Sequence, residues 1–346
     1  MMRGLVFRGS WNVAVESVPE PDAPKGTDVL VRVHATGICG TDIGIVSGAY
    51  AAREPVILGH ESAGEVVAVG EDVRDLTPGD RVVIDPTYYC GFCLMCRTDR
   101  QNHCERKVDT ETGVSRDGTF AAYYTTEERF LHRFGSDLSY EEAALTEPLS
   151  CVLTGVAQLR LRHDLRTIVI GAGPIGILYA HGLSLSGIDG VLVEVADRRL
   201  ALAQDAMPAR WRTERTLAGA LKAMRPCTGE ADLIVDTTGA VTEDCAAVLA
   251  RRGQLLSVGL RAGTARIDML HVADRSLTIL GSIDSLGTFS SALRLIERRA
   301  LPANRIITDQ MELEHYAEAF RGVGCDIAAR RRNNDARSLK TILRPA

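Results

Sequence analysis

The sequence predicts an α/β protein of two domains, one rich in β-strands and one built on a doubly wound parallel sheet. Three observations predict this fold class. The chain has 346 residues, which is more than one ordinary core usually holds. Short apolar runs broken by Pro, Gly and Asp fill the chain up to Ile84. From Thr167 onward, apolar runs alternate with helix-like segments.

The N-terminal part is typical of an all-β or barrel-like domain with polar turns. We expect strands at Leu5–Phe7, Val29–Val33 and Ala63–Val69. A further strand, Arg81–Ile84, is expected directly after a turn at Pro78–Asp80.

The remaining elements follow the alternation that is typical of a parallel sheet. The segment Tyr140–Leu161 is predicted to be helical, and Phe289–Arg299 is predicted to form an amphipathic helix. Lys340–Leu343 is predicted to be a closing strand that rejoins the first domain, and Arg330–Arg332 a solvated face or loop. The predicted strands of the sheet are Thr167–Ile170, Gly190–Val193, Leu233–Asp236, Gln254–Val258 and Leu277–Leu280.

The segment around which the chain is organised is the glycine motif Gly171–Gly176, which lies between a predicted strand and a predicted helix, Ile177–Ser184. Its residues are Gly171, Ala172, Gly173, Pro174, Ile175 and Gly176. The first glycine permits the tight turn, the second lets a pyrophosphate approach the backbone, and the third lets the helix pack closely. The motif therefore predicts a dinucleotide site, with a purely structural turn as the alternative.

The next predicted strand ends at Glu194, where an acidic residue would bind the hydroxyls of the adenosine ribose. A carboxylate there repels the additional phosphate of NADP, which favours NAD. Arg198 and Arg199 follow closely and partly cancel that preference.

Composition excludes several classes of partner. The formal net charge of −5 and the interspersed charges provide no basic field for nucleic acid. No apolar run approaches the roughly 20 residues that span a bilayer, and Met1–Val6 lacks the apolar core of a signal peptide. We expect a cytoplasmic protein that acts on a small molecule, without a nucleic-acid or membrane partner.

Four of the nine cysteines lie within fifteen residues and predict a metal site. Four thiolates at this spacing can close a tetrahedron around zinc and leave no open position, so the ion would hold a loop rather than catalyse. An iron–sulfur cluster and unliganded thiols are the alternatives. The four residues are Cys90, Cys93, Cys96 and Cys104.

A second constellation is dispersed along the chain: Cys39 in Gly37–Asp42, His60 in Gly59–Glu61, and Glu147 before Pro148-Leu149. Taken singly, each has a plain structural explanation, because lone Cys and His residues are often buried core residues. In this order, together with the cysteine lobe and the glycine motif, they resemble the zinc-dependent medium-chain alcohol dehydrogenase family over nearly the whole chain. Within that family the chain is most similar to the polyol, sugar and threonine dehydrogenase branch.

The resemblance implies a GroES-like catalytic domain at 1–152, with the structural zinc lobe at about 86–106. It implies an NAD-binding Rossmann domain at 153–286 and a return to the catalytic domain at 287–346. Homodimers or homotetramers are expected, because nucleotide domains of this family usually pair edge strands.

The resemblance also implies that Cys39, His60 and Glu147 hold a catalytic zinc with one position open for substrate. The zinc polarises the bound alcohol, and hydride passes to the nicotinamide. Thr41 would start the proton route, and Asp42 would orient the ring of His60. Glu61 is either an alternative ligand or an anchor for water, or else a group that acts only through the ligands.

The chain departs from the family pattern at Gly44, where related enzymes often carry a histidine that relays the proton. The relay is therefore expected to run from Thr41 through the ribose to water or to another group. We expect no histidine-like break in the pH profile from that position.

Three further residues at strand ends are expected to face the cofactor, with turn formation as the alternative. They are Thr237 in Asp236–Gly239, Val258 in Ser257–Gly259 and Ser282 in Gly281–Asp284.

The predicted function is oxidation of a secondary alcohol on a polyol, sugar or cyclitol to a ketone, with zinc and NAD. An aminocyclitol of antibiotic synthesis is one candidate substrate. Alternatives within the class are an L-threonine 3-dehydrogenase and a simple secondary alcohol dehydrogenase. A zinc-free enone or quinone reductase and a non-catalytic member of the fold are the alternatives outside it.

Overall fold

The structure is a computed structural model that describes residues 1–224, 227–261, 263–333 and 336–345. It divides the chain into two compact units, Met1–Ser150 with Ser285–Ala346, and Cys151–Asp284. No helix within these described ranges is both long and apolar enough to cross a membrane.

The strands are numbered in chain order over the described residues. They are β1 (Met2–Phe7), β2 (Val13–Val18), β3 (Asp28–Gly37), β4 (Val56–Ile57), β5 (Glu61–Val69), β6 (Arg81–Ile84), β7 (Tyr123–Glu127), β8 (Leu131–Arg133), β9 (Thr167–Ile170), β10 (Gly190–Val193), β11 (Arg212–Glu214), β12 (Ala231–Asp236), β13 (Leu249–Ser257), β14 (Thr278–Gly281), β15 (Ile307–Glu312), β16 (Cys325–Asp326), β17 (Arg331–Arg332) and β18 (Lys340–Arg344).

The α-helices of the described residues follow the same order. They are α1 (Gly40–Val46), α2 (Lys107–Thr110), α3 (Tyr140–Ala144), α4 (Thr146–Ala157), α5 (Pro174–Leu185), α6 (Asp197–Ala206), α7 (Leu217–Ala223), α8 (Thr242–Ala247), α9 (Met269–Arg275), α10 (Phe289–Glu297), α11 (Ala303–Ile306) and α12 (Tyr316–Gly322).

The first unit is built on β-sheets, as its alternating apolar pattern predicted. Its larger sheet has the order β15-β18-β3-β5-β6-β8, with β7 also paired to β3. Buried aliphatic side chains of these strands, among them Val31, Val66 and Ile84, form one core cluster. A second cluster contains Leu5 and Phe120 together with buried residues of α1 and α12.

The second unit contains a six-stranded sheet in the order β11-β10-β9-β12-β13-β14. All neighbouring strands are parallel. Numbered from β9 as strand 1, this is the strand order 3-2-1-4-5-6 of a dinucleotide-binding fold. The ligand of that fold binds at the carboxyl ends of β9 and β12, where the strand order reverses. The α/β class with a β-rich unit and a doubly wound sheet is therefore confirmed.

Several local predictions need correction. The segment Tyr140–Leu161 forms two helices, α3 and α4, that are separated at Leu145, and the second ends at Ala157. The helix after the glycine motif begins at Pro174 rather than at Ile177, because proline is well suited to a first helical turn. Arg331 and Arg332 are exposed, as expected, but they form a short antiparallel ladder with β16.

Candidate active site

The segment that follows β3 places Cys39 at the start of α1. The backbone N–H of Cys39 donates a 2.8 Å hydrogen bond to the carboxylate of Asp42, which lies in the first turn of the helix. The same fully buried carboxylate accepts a 3.3 Å bond from the backbone N–H of Gly59. Asp42 therefore ties the loop of Cys39 to the loop that carries His60.

The ligand atoms of Cys39, His60 and Glu61 all lie within 4.8 Å of one another. Sheet register explains the arrangement, because Gly37 at the end of β3 is paired with Glu61 at the start of β5. A thiolate, an imidazole and a carboxylate form a donor set that suits Zn²⁺. The structure thus brings together two of the three predicted ligands, together with the glutamate that the sequence left open.

The imidazole of His60 is enclosed by acidic groups. Its Nδ1 lies 3.9 Å from Oδ1 of Asp42 and has no hydrogen-bond partner among the described residues. Burial lowers the pKa of His60, but the thiolate of Cys39 and the carboxylates of Asp42 and Glu147 outweigh burial and hold the pKa well above its usual value. This is the electrostatic signature of a site suited to a cation.

Glu147 lies in the first turn of α4 and is half-buried. It does not belong to the group of three whose ligand atoms lie within 4.8 Å. The charge of Glu147 nevertheless raises the pKa of both His60 and Lys340, so Glu147 is close enough to interact electrostatically with these two side chains. Its role as a ligand stays a prediction.

Lys340 lies beside Glu61 of this site. The sequence analysis predicted Lys340 only as part of the closing strand. Its ammonium group forms an ion pair with Glu61 and donates a 3.0 Å hydrogen bond to the carbonyl oxygen of Ile38. Both side chains of the ion pair are only 2% exposed. The available signal was a lysine within a predicted buried strand, in a chain with only four lysines.

The segment after Cys39 contains the predicted start of the proton route. Thr41 is half-buried in the first turn of α1. Gly44 is buried, and a Cβ added there would lie 3.2 Å from Cβ of Tyr50. Tyr50 is held beside it by a 3.1 Å hydrogen bond from its backbone N–H to the carbonyl oxygen of Gly44. The chain therefore packs Tyr50 where a residue larger than glycine would need room.

The four-cysteine lobe gathers its sulfur atoms. The Sγ atom of Cys93 lies 3.4 Å from Sγ of Cys96 and 3.9 Å from Sγ of Cys104, and Sγ of Cys90 lies 3.9 Å from Sγ of Cys96. Zinc–sulfur bonds of about 2.3 Å in a tetrahedron require sulfur separations of about 3.8 Å. Backbone N–H groups lower the pKa of Cys93 to about 6, whereas burial raises the pKa of Cys96 to about 12. The lobe fits a cation that stabilises its thiolates.

In the second unit, the glycine motif forms the turn between β9 and α5. Gly171 has a φ of +98°, and a Cβ there would lie 2.6 Å from Oγ1 of Thr237. A Cβ at Gly176 would overlap the carbonyl oxygen of Gly171. Gly173 caps α5, and its Cβ direction is open. Pro174 and Ile175 form the first helical turn, so the helix N-terminus is accessible to a phosphate.

Glu194 follows β10 and is buried beside this turn. Its carboxylate accepts hydrogen bonds from the backbone N–H groups of Ala172, at 3.1 Å, and Ala196, at 2.9 Å. Arg199 approaches it with an N–O distance of 3.9 Å. The acidic residue is thus fixed next to the glycine motif, as a ribose-binding group would need to be.

The remaining predicted cofactor residues lie at the carboxyl ends of neighbouring strands. The hydroxyl of Thr237, after β12, donates a 2.7 Å hydrogen bond to the carbonyl oxygen of Ile170. The backbone N–H of Val258, after β13, bonds the carbonyl oxygen of Asp236 at 2.9 Å. The backbone N–H of Ser282, after β14, donates a 3.2 Å hydrogen bond to the carbonyl oxygen of Ser257. All of them lie along the sheet edge at which ligands of this fold bind.

Comparison with known proteins agrees with the two-unit architecture. Residues 25–136 match the family model of the alcohol dehydrogenase GroES-like domain. D-altritol 5-dehydrogenase of Agrobacterium fabrum is 34% identical over 329 residues, which cover 92% of this chain and 95% of that protein. Sorbitol dehydrogenase of Bacillus subtilis is 29% identical over 328 residues, with 92% of each chain covered.

A solved structure from Sinorhizobium meliloti, named as a zinc-binding dehydrogenase and bound to NADP, superimposes with a TM-score of 0.88. It is 27% identical, and the match covers 100% of this chain and 99% of the other. The fold and the site define an oxidoreductase of the dehydrogenase class. More particularly, the chain belongs to the zinc-dependent medium-chain dehydrogenases, in their polyol branch.

Proposed function

We propose that the protein is a zinc- and NAD-dependent dehydrogenase that oxidises a secondary alcohol of a polyol, sugar or cyclitol to a ketone. The observation that supports it most is the convergence of Cys39, His60 and the buried Glu61, whose ligand atoms lie within 4.8 Å of one another in the first unit. When bound, the zinc supplies Lewis acidity that raises the acidity of an alcohol, and NAD accepts the hydride.

The residues proposed to hold the catalytic zinc are Cys39, His60 and Glu147. A thiolate and one carboxylate balance the two charges of the ion, and a neutral imidazole completes three protein ligands. Asp42 faces Nδ1 of His60, which leaves Nε2 as the nitrogen for the metal. A second zinc is proposed for the four-cysteine lobe, where it stabilises the loop.

Thr41 is proposed to relay the proton of the alcohol, its hydroxyl accepting that proton while it donates its own, since it is the hydroxyl nearest in sequence to Cys39 on α1. Gly44 offers no side chain for a relay, so a ribose hydroxyl of bound NAD would supply the next group between Thr41 and water. The carboxylate of Asp42 keeps the ring of His60 oriented, because backbone N–H groups on both loops hold it.

NAD is proposed as the cofactor in preference to NADP. The support is the buried Glu194, which two backbone N–H groups hold at the end of β10, where a 2′-phosphate would meet its charge. The Sinorhizobium protein is bound to NADP, and Arg199 is close enough to interact with a phosphate. The ratio of kcat/KM with NAD to that with NADP decides between them.

The substrate class is proposed from the relatives, which are named for D-altritol and sorbitol. A panel of pentitols, hexitols, cyclitols, aminocyclitols, 2,3-butanediol and L-threonine, each tested with NAD, provides the test. Oxidation of at least one polyol or cyclitol with a kcat/KM about ten times that of threonine supports the proposal. Activity confined to threonine or to simple alkanols contradicts it.

A further inference from the structure

Two buried hydroxyl groups of the second unit lie next to one another, that of Tyr179 on α5 and that of Ser282 directly after β14. We infer that Tyr179 is a positioning residue that orients the hydroxyl of Ser282 toward the nicotinamide end of the cofactor. The inference rests on the proposed use of NAD. It assigns a role to a helix residue that lies outside the glycine motif and the strand ends.

The strand order indicates which part of a dinucleotide Ser282 would face. The glycine motif after β9 and Glu194 after β10 lie on one half of the sheet, and they are the groups proposed for the pyrophosphate and the adenosine ribose. Ser282 follows β14, the outermost strand of the other half, and its backbone N–H bonds the last residue of β13. The nicotinamide half of the dinucleotide is therefore the part nearest to Ser282.

Close packing of α4 against α5 admits the phenol ring of Tyr179. A Cβ added at Gly155 of α4 would overlap the hydroxyl of Tyr179 and would lie 3.1 Å from Cζ of the same ring. A Cβ added at Gly182 of α5 would lie 3.2 Å from Cγ1 of Val152 on α4. Neither glycine has a positive φ, and glycine inside a helix costs stability relative to alanine, so the close approach explains both.

The two hydroxyls have unused hydrogen-bonding capacity. Tyr179 is fully buried, and neither its hydroxyl oxygen nor Oγ of Ser282 has a well-formed hydrogen bond among the described residues. They nevertheless interact, because burial and the neighbouring Cys151 raise the pKa of Tyr179 while the hydroxyl of Ser282 opposes that rise as a hydrogen-bonding partner. Buried polar groups cost free energy unless a further polar group completes their hydrogen bonds.

The chemistry of the two groups sets the direction of the hydrogen bonds. The raised pKa keeps the phenol of Tyr179 protonated at neutral pH, so this group is available as a donor. When Tyr179 donates to Oγ of Ser282, the serine has its own hydrogen left to donate. The carboxamide of nicotinamide presents an amide oxygen that accepts such a bond. ADP-ribose lacks this carboxamide, so the contact affects only ligands that carry nicotinamide.

The test compares two ligands that differ in the nicotinamide group. Dissociation constants of NADH and of ADP-ribose are measured with the full chain by isothermal titration calorimetry. Tyr179→Phe is expected to weaken NADH binding about three- to tenfold, the usual effect of one neutral hydrogen bond, and to change ADP-ribose binding by less than about twofold. Ser282→Ala is expected to show the same selective loss.

A double variant and a matched control complete the design. Tyr179→Phe combined with Ser282→Ala is expected to bind NADH as Ser282→Ala alone does, because the tyrosine acts through the serine. Tyr316→Phe removes a hydroxyl that bonds the carbonyl oxygen of Val13 at 3.2 Å in the first unit, and it is expected to change the affinity for neither ligand. Circular dichroism checks that each variant is folded.

The inference is overturned if folded Tyr179→Phe binds NADH as tightly as the wild type, or if it loses affinity for NADH and ADP-ribose equally. Additive losses in the double variant also overturn it. If Tyr179→Phe does not fold, Gly155→Ala takes its place, since the added Cβ displaces the same hydroxyl, and the same outcomes decide. A wild-type chain that binds neither ligand would instead refute the proposed use of NAD, so the two failures are distinguishable.

Discussion

Oδ1 of Asp42 lies 3.9 Å from Nδ1 of His60, while the same carboxylate bonds the backbone N–H groups of Cys39 and Gly59. One buried carboxylate thus ties together the loops that carry two proposed ligands, which are twenty-one residues apart. Each carboxylate oxygen of Asp42 accepts a hydrogen bond from a different loop. Asparagine would replace one of these oxygens by an NH₂ group, which cannot accept the bond from the backbone N–H.

Asp42→Asn is therefore expected to weaken zinc binding at the proposed catalytic centre by about 10- to 100-fold, the usual effect of removing a group that orients a ligand. Chelator competition measures it, with exposed Asp22→Asn as the control. Unchanged affinity in a folded Asp42→Asn protein would show that His60 needs no such support.

The hydroxyl of Thr41 is expected to be required for proton removal. Thr41→Val, which keeps the shape but removes the hydroxyl, is expected to lower kcat by about 10²-fold or more, while Thr41→Ser retains most activity. Steady-state kinetics with the best polyol from the panel provide the measurement. Equal loss in both variants would indicate a packing effect and contradict the proposed proton route.

Cofactor preference is expected to depend on Glu194. Replacing it with serine removes the charge that opposes a 2′-phosphate and leaves Arg199 in place. The ratio of kcat/KM for NAD to that for NADP is expected to fall at least tenfold. An unchanged ratio would show that other residues determine the cofactor preference. Asp189→Asn, at a partly exposed position on the same unit, serves as the control.

The second unit carries a pH-dependent contact outside the proposed site. Arg166 bonds both carboxylate oxygens of Asp232, at 2.7 and 2.9 Å. Burial raises the pKa of Asp232, but the bonds from Arg166 outweigh this and hold it below its ordinary value. The folded state thus favours the ionised carboxylate, so the contact stabilises above the unfolded pKa of about 3.9 and is lost as pH falls through the folded pKa.

Asp232→Asn is accordingly expected to lower the urea midpoint at pH 7, with a deficit that shrinks as pH falls below about 4. Urea unfolding at several pH values, followed by circular dichroism, provides the measurement. A deficit of constant size down to about pH 3 would mean that the charge of Asp232 contributes nothing.

Much of the fold could be predicted because local patterns determine it. Arg81–Ile84 and Thr167–Ile170 have the predicted bounds, since each is a short apolar run between turn residues. The break between α3 and α4 did have a local signal, Pro148, which is tolerated in the first turn of α4 but not in the interior of one continuous helix. The antiparallel ladder at Arg331–Arg332 forms through pairing with β16. A run of charged residues does not predict such a pairing.

The candidate site shows the same limit. The glycine motif was recognisable because it is a local pattern between a strand and a helix, whereas Cys39 and His60 were recognised only through the resemblance of their order along the chain to a known family. The ion pair between Lys340 and Glu61 was not recognisable, because 279 residues separate them and they meet through the pairing of β18 with β3 and of β3 with β5. The sequence also left open whether Glu61 or Glu147 is the third ligand, because spacing along the chain does not show which carboxylate lies within 4.8 Å of the ligand atoms of Cys39 and His60.

The most direct test of the central claim is the position of zinc in a crystal of the full chain, measured by anomalous scattering at the zinc absorption edge. We predict two peaks per chain, one among Cys90, Cys93, Cys96 and Cys104, and one bound by Sγ of Cys39, the ring of His60 and a carboxylate oxygen. A single peak in the cysteine lobe, in crystals of protein that oxidises the polyol with NAD, would contradict it.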